Sequence, residues 1–218
     1  MYMMLRFRLS QKYKSDLSFN DKLHSSALLI HKMVNYIREA VDTNHSDKQI
    51  LPFRLANSSE LLYFLKQDIH LSQVSYDAQE LLADCVQITF KYLVNLMQQQ
   101  LDYVLIAFFD PSDHVEEMNN GDQADDPNSQ MDTNNMARPT LKHIIQVLNE
   151  TMNLLRGSRV NAALTIQLFS QLFHCISVWM FNKLISDQRS GLCSRYLGAK
   201  LTRRLNKIQQ WAEKQGLE

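Results

Sequence analysis

Residues 168–181, LFSQLFHCISVWMF, carry three phenylalanines, a tryptophan, a methionine and no formal charge. The charge-free tract is longer still: it runs for 23 residues, Val160 to Asn182, between Arg159 and Lys183. A membrane-spanning helix needs roughly 20 predominantly apolar residues, so length alone admits a span. The pattern argues against one. The longest unbroken apolar run is four residues, Val178 to Phe181. Gln167, Ser170, Gln171, His174 and Ser177 fall mostly three and four apart, so on a helix they form one polar stripe. Leu164, Leu168, Phe169, Leu172, Phe173, Ile176, Met180 and Phe181 cover most of the rest. A helix apolar nearly all round, with one narrow neutral stripe, is expected at the centre of an all-helical domain.

The totals agree with a helical protein. At 218 residues the chain has ample length for a real core. Five glycines and four prolines are too few for a turn-rich β fold. Lys plus Arg equals Asp plus Glu, 23 each, so no global field draws the chain to nucleic acid or lipid. Cys85, Cys175 and Cys193 are widely spaced and form no CxxC pair, which points to a reduced, intracellular protein. The N-terminus, MYMMLRFRL, is apolar but is broken by Arg6 and Arg8, and makes a poor signal peptide. Sequons at Asn44, Asn57 and Asn149 carry no meaning without secretion.

Working outward from the central tract, helical periodicity recurs along the chain. A helix is expected from about Ser18 to Val41, where Ser18 followed by Asp21 gives a capping-box-like start. Leu51-Pro52-Phe53 reads as a connector, and Asn57 or Ser58 as the cap of a second helix. After a break around His70 to Val74, Ser75 opens a pattern that reaches Phe109. Its length predicts a kink or break near Gln98–Gln100. Pro139 suits the first position of the next helix and Gly157 its stop. Ser158 then opens the charge-free helix, and Ser186 to Ser190 is a turn. A last helix runs from about Ser194 to Lys214, with Leu197, Leu201, Leu205, Ile208 and Trp211 as its apolar side. No segment sustains a period of two, so the fold class is all-α.

One segment differs in kind. Between Asp110 and Asp132 there are eight acids and no Lys or Arg. This composition predicts a disordered acidic insert over residues 110–136.

The search for chemistry is mostly negative. GxGxxG, GxSxG and HExxH are absent. GLCSRYLGAK (191–200) has the wrong glycine spacing for a phosphate loop. His24 and His31 share a helix face but stand about 10 Å apart, too far for one metal. His174 lies on the neutral stripe without an acid or cysteine one turn away, so a core histidine is expected and a helical hydrolase is the weaker reading. No catalytic, cofactor-binding or metal-binding residue is assigned. One charge feature stands out. From Gln188 to Ala212 there are six bases and no acid. Lys200, Arg203, Arg204 and Lys207 cluster at helical spacing, forming a basic face beside the apolar stripe of the last helix. The plain alternative is a solvated amphipathic helix. The functional reading is a docking face for an acidic segment. Nucleic acid fits poorly, because the patch is short and the net charge is zero.

RLANSSELLYFLKQD (54–68), RVNAALTIQLFSQLFH (159–174), GLCSRYLG (191–198) and WAEKQGLE (211–218) resemble the afadin/canoe family in the region of its dilute (DIL) domain. The similarity covers nearly the whole chain from about Arg54. More distantly the chain resembles the cargo-binding globular tail of class V myosins, through Gln171-Leu172-Phe173 with Ile176, Asn182 with Leu184, Cys193-Ser194 and Trp211. The resemblance implies a multi-helix DIL-type bundle with long antiparallel helices, one domain over residues 1–218. It also implies further helices beyond Glu218, where this chain stops. The implied function is a non-enzymatic protein–protein interaction module of a cytoplasmic scaffold at cell–cell adherens junctions. Such a scaffold links adhesion receptors to actin, and its partners would be junctional or cytoskeletal adaptor segments, helical or acidic. No cofactor, nucleic acid or transmembrane segment is implied. The alternatives are a cargo-adaptor domain of the myosin kind and a lipid-surface module using the basic last helix.

Overall fold

The computed structural model describes residues 1–109, 139–186 and 194–217. Among these the chain forms eight α-helices and one short 3-10 helix, and no strand. They are α1 (Tyr2–Leu9), α2 (Phe19–Thr43), α3 (Ile50–Gln67), α4 (Ile69–Val74), α5 (Tyr76–Val104), the 3-10 helix Leu105–Phe109, α6 (Leu141–Gly157), α7 (Ala162–Ser186) and α8 (Arg195–Gln215). The all-α expectation holds. The acidic insert at 110–136, the turn after Ser186 and Cys193 lie outside the described residues.

The chain divides into two compact units. The first comprises Met1–Leu96 and Met152–Leu168, the second Met97–Thr151 and Phe169–Glu218.

In the first unit, Ser18 caps α2: its hydroxyl oxygen accepts from the Asp21 amide at 3.2 Å and the hydroxyl donates to the Asp21 carboxylate at 2.6 Å. The expected stripe of α2 turns inward, with Ile30, Val34 and Val41 buried. Leu5, Ile30, Val34, Leu61, Leu65, Leu71, Ala78 and Leu82 make one continuous core. Three expectations fail here. Leu51-Pro52-Phe53 is not a connector but part of the first turn of α3. Proline is tolerated there because the first amides of a helix have no intrahelical acceptor. The cap is upstream: the Asp47 carboxylate accepts from the amides of Gln49 at 2.8 Å and Ile50 at 3.1 Å. Asn57 and Ser58 are interior positions, and Asn57 donates to the Phe53 carbonyl at 2.7 Å. The expected break at His70 to Val74 is the short helix α4, and MYMMLRFRL is a helix that periodicity over so few residues did not reveal.

Asp68 ties these short elements together. Its carboxylate caps α4 by accepting from the amides of His70 at 3.0 Å and Leu71 at 3.1 Å. It also accepts from the Tyr2 hydroxyl at 3.0 Å and pairs with Arg6 at 3.1 Å. Burial by itself would raise this carboxyl. The two amides, the Tyr2 hydroxyl and Arg6 outweigh it and hold Asp68 below the usual carboxylate range.

In the second unit, α5 continues as an α-helix through Gln98–Gln100, so the expected kink or break is not a break there, and the chain passes to 3-10 geometry at Leu105. Helix α6 starts at Leu141, two residues after Pro139; the Thr140 amide donates to His143 Nδ1 at 2.9 Å. Met97, Leu101, Leu105, Phe108, Ile144, Leu148, Phe169, Leu172 and Ile176 are buried. The Thr151 hydroxyl donates to the Val147 carbonyl at 2.8 Å and reaches the Met97 sulfur at 3.1 Å.

Two helix ends share one motif with different residues. At the end of α8, Gly216 takes φ 73°, its amide donates to Glu213, and the Leu217 amide donates to Ala212. At the end of α6, the same pair of bonds runs from Arg159 to Arg156 and from Val160 to Leu155. These are Schellman motifs, which place a left-handed residue just past the helix. In the second case that residue is Arg159 at φ 57°, not Gly157, which is the last residue of α6. Helix α7 accordingly begins at Ala162, with the Asn161 side chain accepting from the Ala163 amide at 2.8 Å, rather than at Ser158.

Candidate partner-binding surface

The residues expected to dock a partner lie on α8, in the second unit. Ser194 caps the helix by accepting from the Leu197 amide at 3.2 Å, as its sequence position suggests. The buried side of α8 is Leu201, Arg204, Ile208 and Trp211. Leu205, expected on that side, is 40% exposed. Arg204, expected on the basic outer face, is 4% exposed. Its guanidinium donates to the carbonyls of Ala107 at 2.7 Å and Phe108 at 2.6 Å. Those carbonyls belong to the last turn of the α5–3-10 segment, where helical carbonyls lack intrahelical partners and carry the negative end of the helix dipole. A buried cation is stable there because the backbone supplies its acceptors. Arg204 is therefore an anchor of α8, and the basic face is narrower than expected. Lys200 is half-buried, while Arg203 and Lys207 are exposed. The exposed Lys214 continues the stripe of Arg203 and Lys207 by helical spacing.

Trp211 closes the far end of α8. Its indole N–H donates to the Asn149 side-chain oxygen at 2.7 Å, and its ring lies 5.5 Å from that of Phe169. The Asn149 side chain is thus a hydrogen-bond acceptor within the fold.

Helix α7 departs furthest from expectation. Only Leu168, Phe169, Leu172, Ile176 and Met180 are buried along it, and all lie on one side. Phe173 is half-buried. The neutral stripe of Gln167, Ser170, Gln171, His174 and Ser177 faces outward, so His174 is exposed rather than a core histidine. In the second unit the same outward side carries Val178, Phe181 and Ile185, which are 42%, 63% and 52% exposed. Among the described residues, α7 is the one helix long and apolar enough to cross a membrane by length and composition. The exposed apolar ridge is the feature that sequence reading missed. Its signal was present: a tract with too many large apolar residues for a single buried side.

The described residues offer little for chemistry. A groove of about 380 Å³ in the first unit is lined by His24, Leu28, His31, Tyr76 and Asp77 among others. Its Tyr76 hydroxyl is pushed up by a hydrogen bond to Glu80. Burial raises the thiols of Cys85 and Cys175, which fits packing rather than nucleophilic use. Among the described residues no three His, Cys, Asp or Glu side chains are grouped to hold a metal.

Helices α7 and α8 thus present exposed cations and an exposed neutral-apolar ridge, and both are anchored by buried contacts. Residues 167–218, covering α7 from its second turn and all of α8, match the family model of the DIL domain. The DIL domain is a non-catalytic protein-interaction and cargo-binding module.

Proposed function

We propose that this chain is a non-enzymatic interaction domain of an adherens-junction scaffold of the afadin/canoe kind, which connects adhesion receptors to the actin cytoskeleton. We read residues 1–218 as one DIL-type domain, acting in the cytoplasm at cell–cell contacts. The DIL match over 167–218 supports the class of module. The resemblance of residues 54–68, 159–174, 191–198 and 211–218 supports the particular scaffold. The observation that carries the binding site is the outer stripe of α8, where Arg203 and Lys207 are exposed while Arg204, Ile208 and Trp211 hold the helix down. A partner segment rich in Asp and Glu fits this stripe. Charge pairs at such a rim steer association and set its salt dependence more than they set affinity. On this reading α7 is one wall of a folded unit, not a membrane span, because its buried side packs Phe169 on Trp211.

The test is recruitment in cells. The chain fused to a fluorescent protein is expressed in an epithelial monolayer, alongside an Arg203→Glu, Lys207→Glu double variant. Wild type concentrates at cell–cell borders, and the variant stays diffuse at equal expression. Diffuse wild type would remove the junctional assignment. Equal recruitment of both proteins would remove the α8 stripe as the docking face.

A further inference from the structure

Helix α1 is apolar on two opposite sides. Its inner side is settled: Leu5 is fully buried in the core of the first unit, and the Tyr2 ring stacks on Phe64 with centroids 4.8 Å apart. The Tyr2 hydroxyl and Arg6 both bind the Asp68 carboxylate. The helix is therefore held firmly, and its outer side is presented in a fixed orientation. That outer side consists of Met3, Met4 and Phe7, which are 76%, 49% and 55% exposed. Residues three and four apart share a helix face, so Met3 and Phe7 form one ridge with Met4 beside it.

Cations edge this ridge. Arg6 and Arg8 lie at its two borders by helical spacing, and Lys12 and Lys14 follow immediately and are exposed. No acid occurs between Met1 and Ser15. Arg6 is half-exposed while it pairs with Asp68, and Arg8 donates to the Ser25 hydroxyl at 2.8 Å. Both arginines are thus fixed at the rim, while Lys14 lies 5.9 Å from the centre of the Tyr13 ring and Lys12 is exposed. Long basic side chains beside exposed apolar groups are suited to an interface where the stems lie in apolar surroundings and the heads stay in water.

We propose that the α1 ridge is a docking surface for an anionic lipid bilayer, with Met3, Met4 and Phe7 entering the headgroup boundary and Lys12 and Lys14 meeting lipid phosphates and carboxylates. Two grooves of the first unit, one lined by Asn35, Arg38, Glu39, Asp42 and Thr43 and the other by His24, Leu28, His31 and Tyr76 among others, include no residue of α1. Charge selects the occupant: Arg6, Arg8, Lys12 and Lys14 accompany the ridge with no acid among residues 1–15, which complements an anionic bilayer surface. Interfacial helices have this composition, an apolar side bordered by Lys and Arg. The surface is weak alone, since a few cations each raise affinity for an anionic membrane by only about fivefold. It would orient a module recruited mainly by protein contacts.

The experiment is co-sedimentation of the full chain with vesicles. One set is phosphatidylcholine alone, and the other is phosphatidylcholine mixed with anionic phosphatidylserine, whose negative surface potential attracts basic segments. Wild type sediments with the anionic vesicles, and binding falls severalfold at about 0.5 M salt, where screening is short-ranged. Met3→Ser with Phe7→Ser lowers binding about tenfold, and Lys12→Glu with Lys14→Glu lowers it by at least about 25-fold, about fivefold for each cation removed. Circular dichroism melts of both variants verify the fold, which the exposure of these side chains should preserve. Arg203→Glu with Lys207→Glu leaves vesicle binding unchanged and separates this surface from the α8 stripe. Equal sedimentation with neutral vesicles, no sedimentation at all, or unchanged binding by the folded α1 variants would overturn the proposal. So would equal or tighter binding of a soluble polyglutamate probe to the same residues.

Discussion

Helices α7 and α8 are neighbours in sequence and opposites in composition, and each departs from its own pattern: the apolar helix exposes an apolar side and the cationic helix buries an arginine. Helix α7 carries no charge between Val160 and Asn182, yet one side of it is exposed. Helix α8 is rich in cations, yet it buries an arginine and exposes Leu205. Composition set which helix is apolar on average. It did not set which residue faces inward, because that depends on what lies opposite: for Phe169 an indole, for Arg204 the carbonyls of Ala107 and Phe108.

The comparison breaks most easily at the Phe169–Trp211 contact. Phe169 is 1% exposed, and truncating a buried phenylalanine costs about 3–5 kcal/mol. Phe169→Ala should lower the denaturation midpoint far more than Phe173→Ala, although Phe173 sits nearer the middle of α7. Chemical denaturation of both variants decides it; a larger loss for Phe173→Ala would restore the picture of a helix packed on most sides.

Arg204→Ala comes next. Bonds from a charged donor contribute about 1.5–3 kcal/mol each, and removal also leaves two carbonyls near the chain end of a helix without this donor. We expect a loss of about 2–4 kcal/mol, against less than about 0.5 kcal/mol for the exposed Arg203→Ala. Thermal melts that rank the two arginines alike would mean that Arg204 is no more an anchor than its neighbour.

The same logic of a buried charge satisfied by backbone can be sharpened by pH in the first unit. Asp68 lies below the ordinary carboxylate range in the folded chain. Its contribution is therefore complete above about pH 4, the ordinary unfolded value, and is lost as the pH falls through the lower folded value. Asp68→Ala should cost about 2–3 kcal/mol at neutral pH, combining a helix cap and a charged hydrogen bond. Stability measured from neutral to strongly acid pH should fall more steeply for wild type than for the variant; parallel curves would contradict the assignment.

The smallest effects concern surfaces and turns. Arg159→Gly should stabilise by about 0.5–1 kcal/mol, because glycine adopts the left-handed conformation without the clash an L side chain suffers. Gly216→Ala should destabilise by a similar amount, and a result of the opposite sign at either end would show that the two motifs are not equivalent. Phe181→Ser, on the exposed ridge of α7, should change stability by less than about 0.5 kcal/mol while raising solubility. A large loss there would mean that the ridge is covered.

What the sequence determined by itself was local. Ser18 and Ser194 cap their helices and Gly216 ends one because those interactions span three to five residues, within reach of a pattern read along the chain. The all-α class followed from the same short periods. Asp47 and Asn161, equally local caps, were passed over because Asn57 and Ser158 offered the same chemistry nearby. What only the tertiary structure decided was distant. Arg204 meets the Ala107 carbonyl across a separation of 97 residues, and Trp211 meets Asn149 across 62. Helical spacing groups Arg204 with Lys200, Arg203 and Lys207 as one basic cluster. The acceptors that draw it inward belong to the end of another helix, and nothing in the spacing of α8 encodes where that end lies.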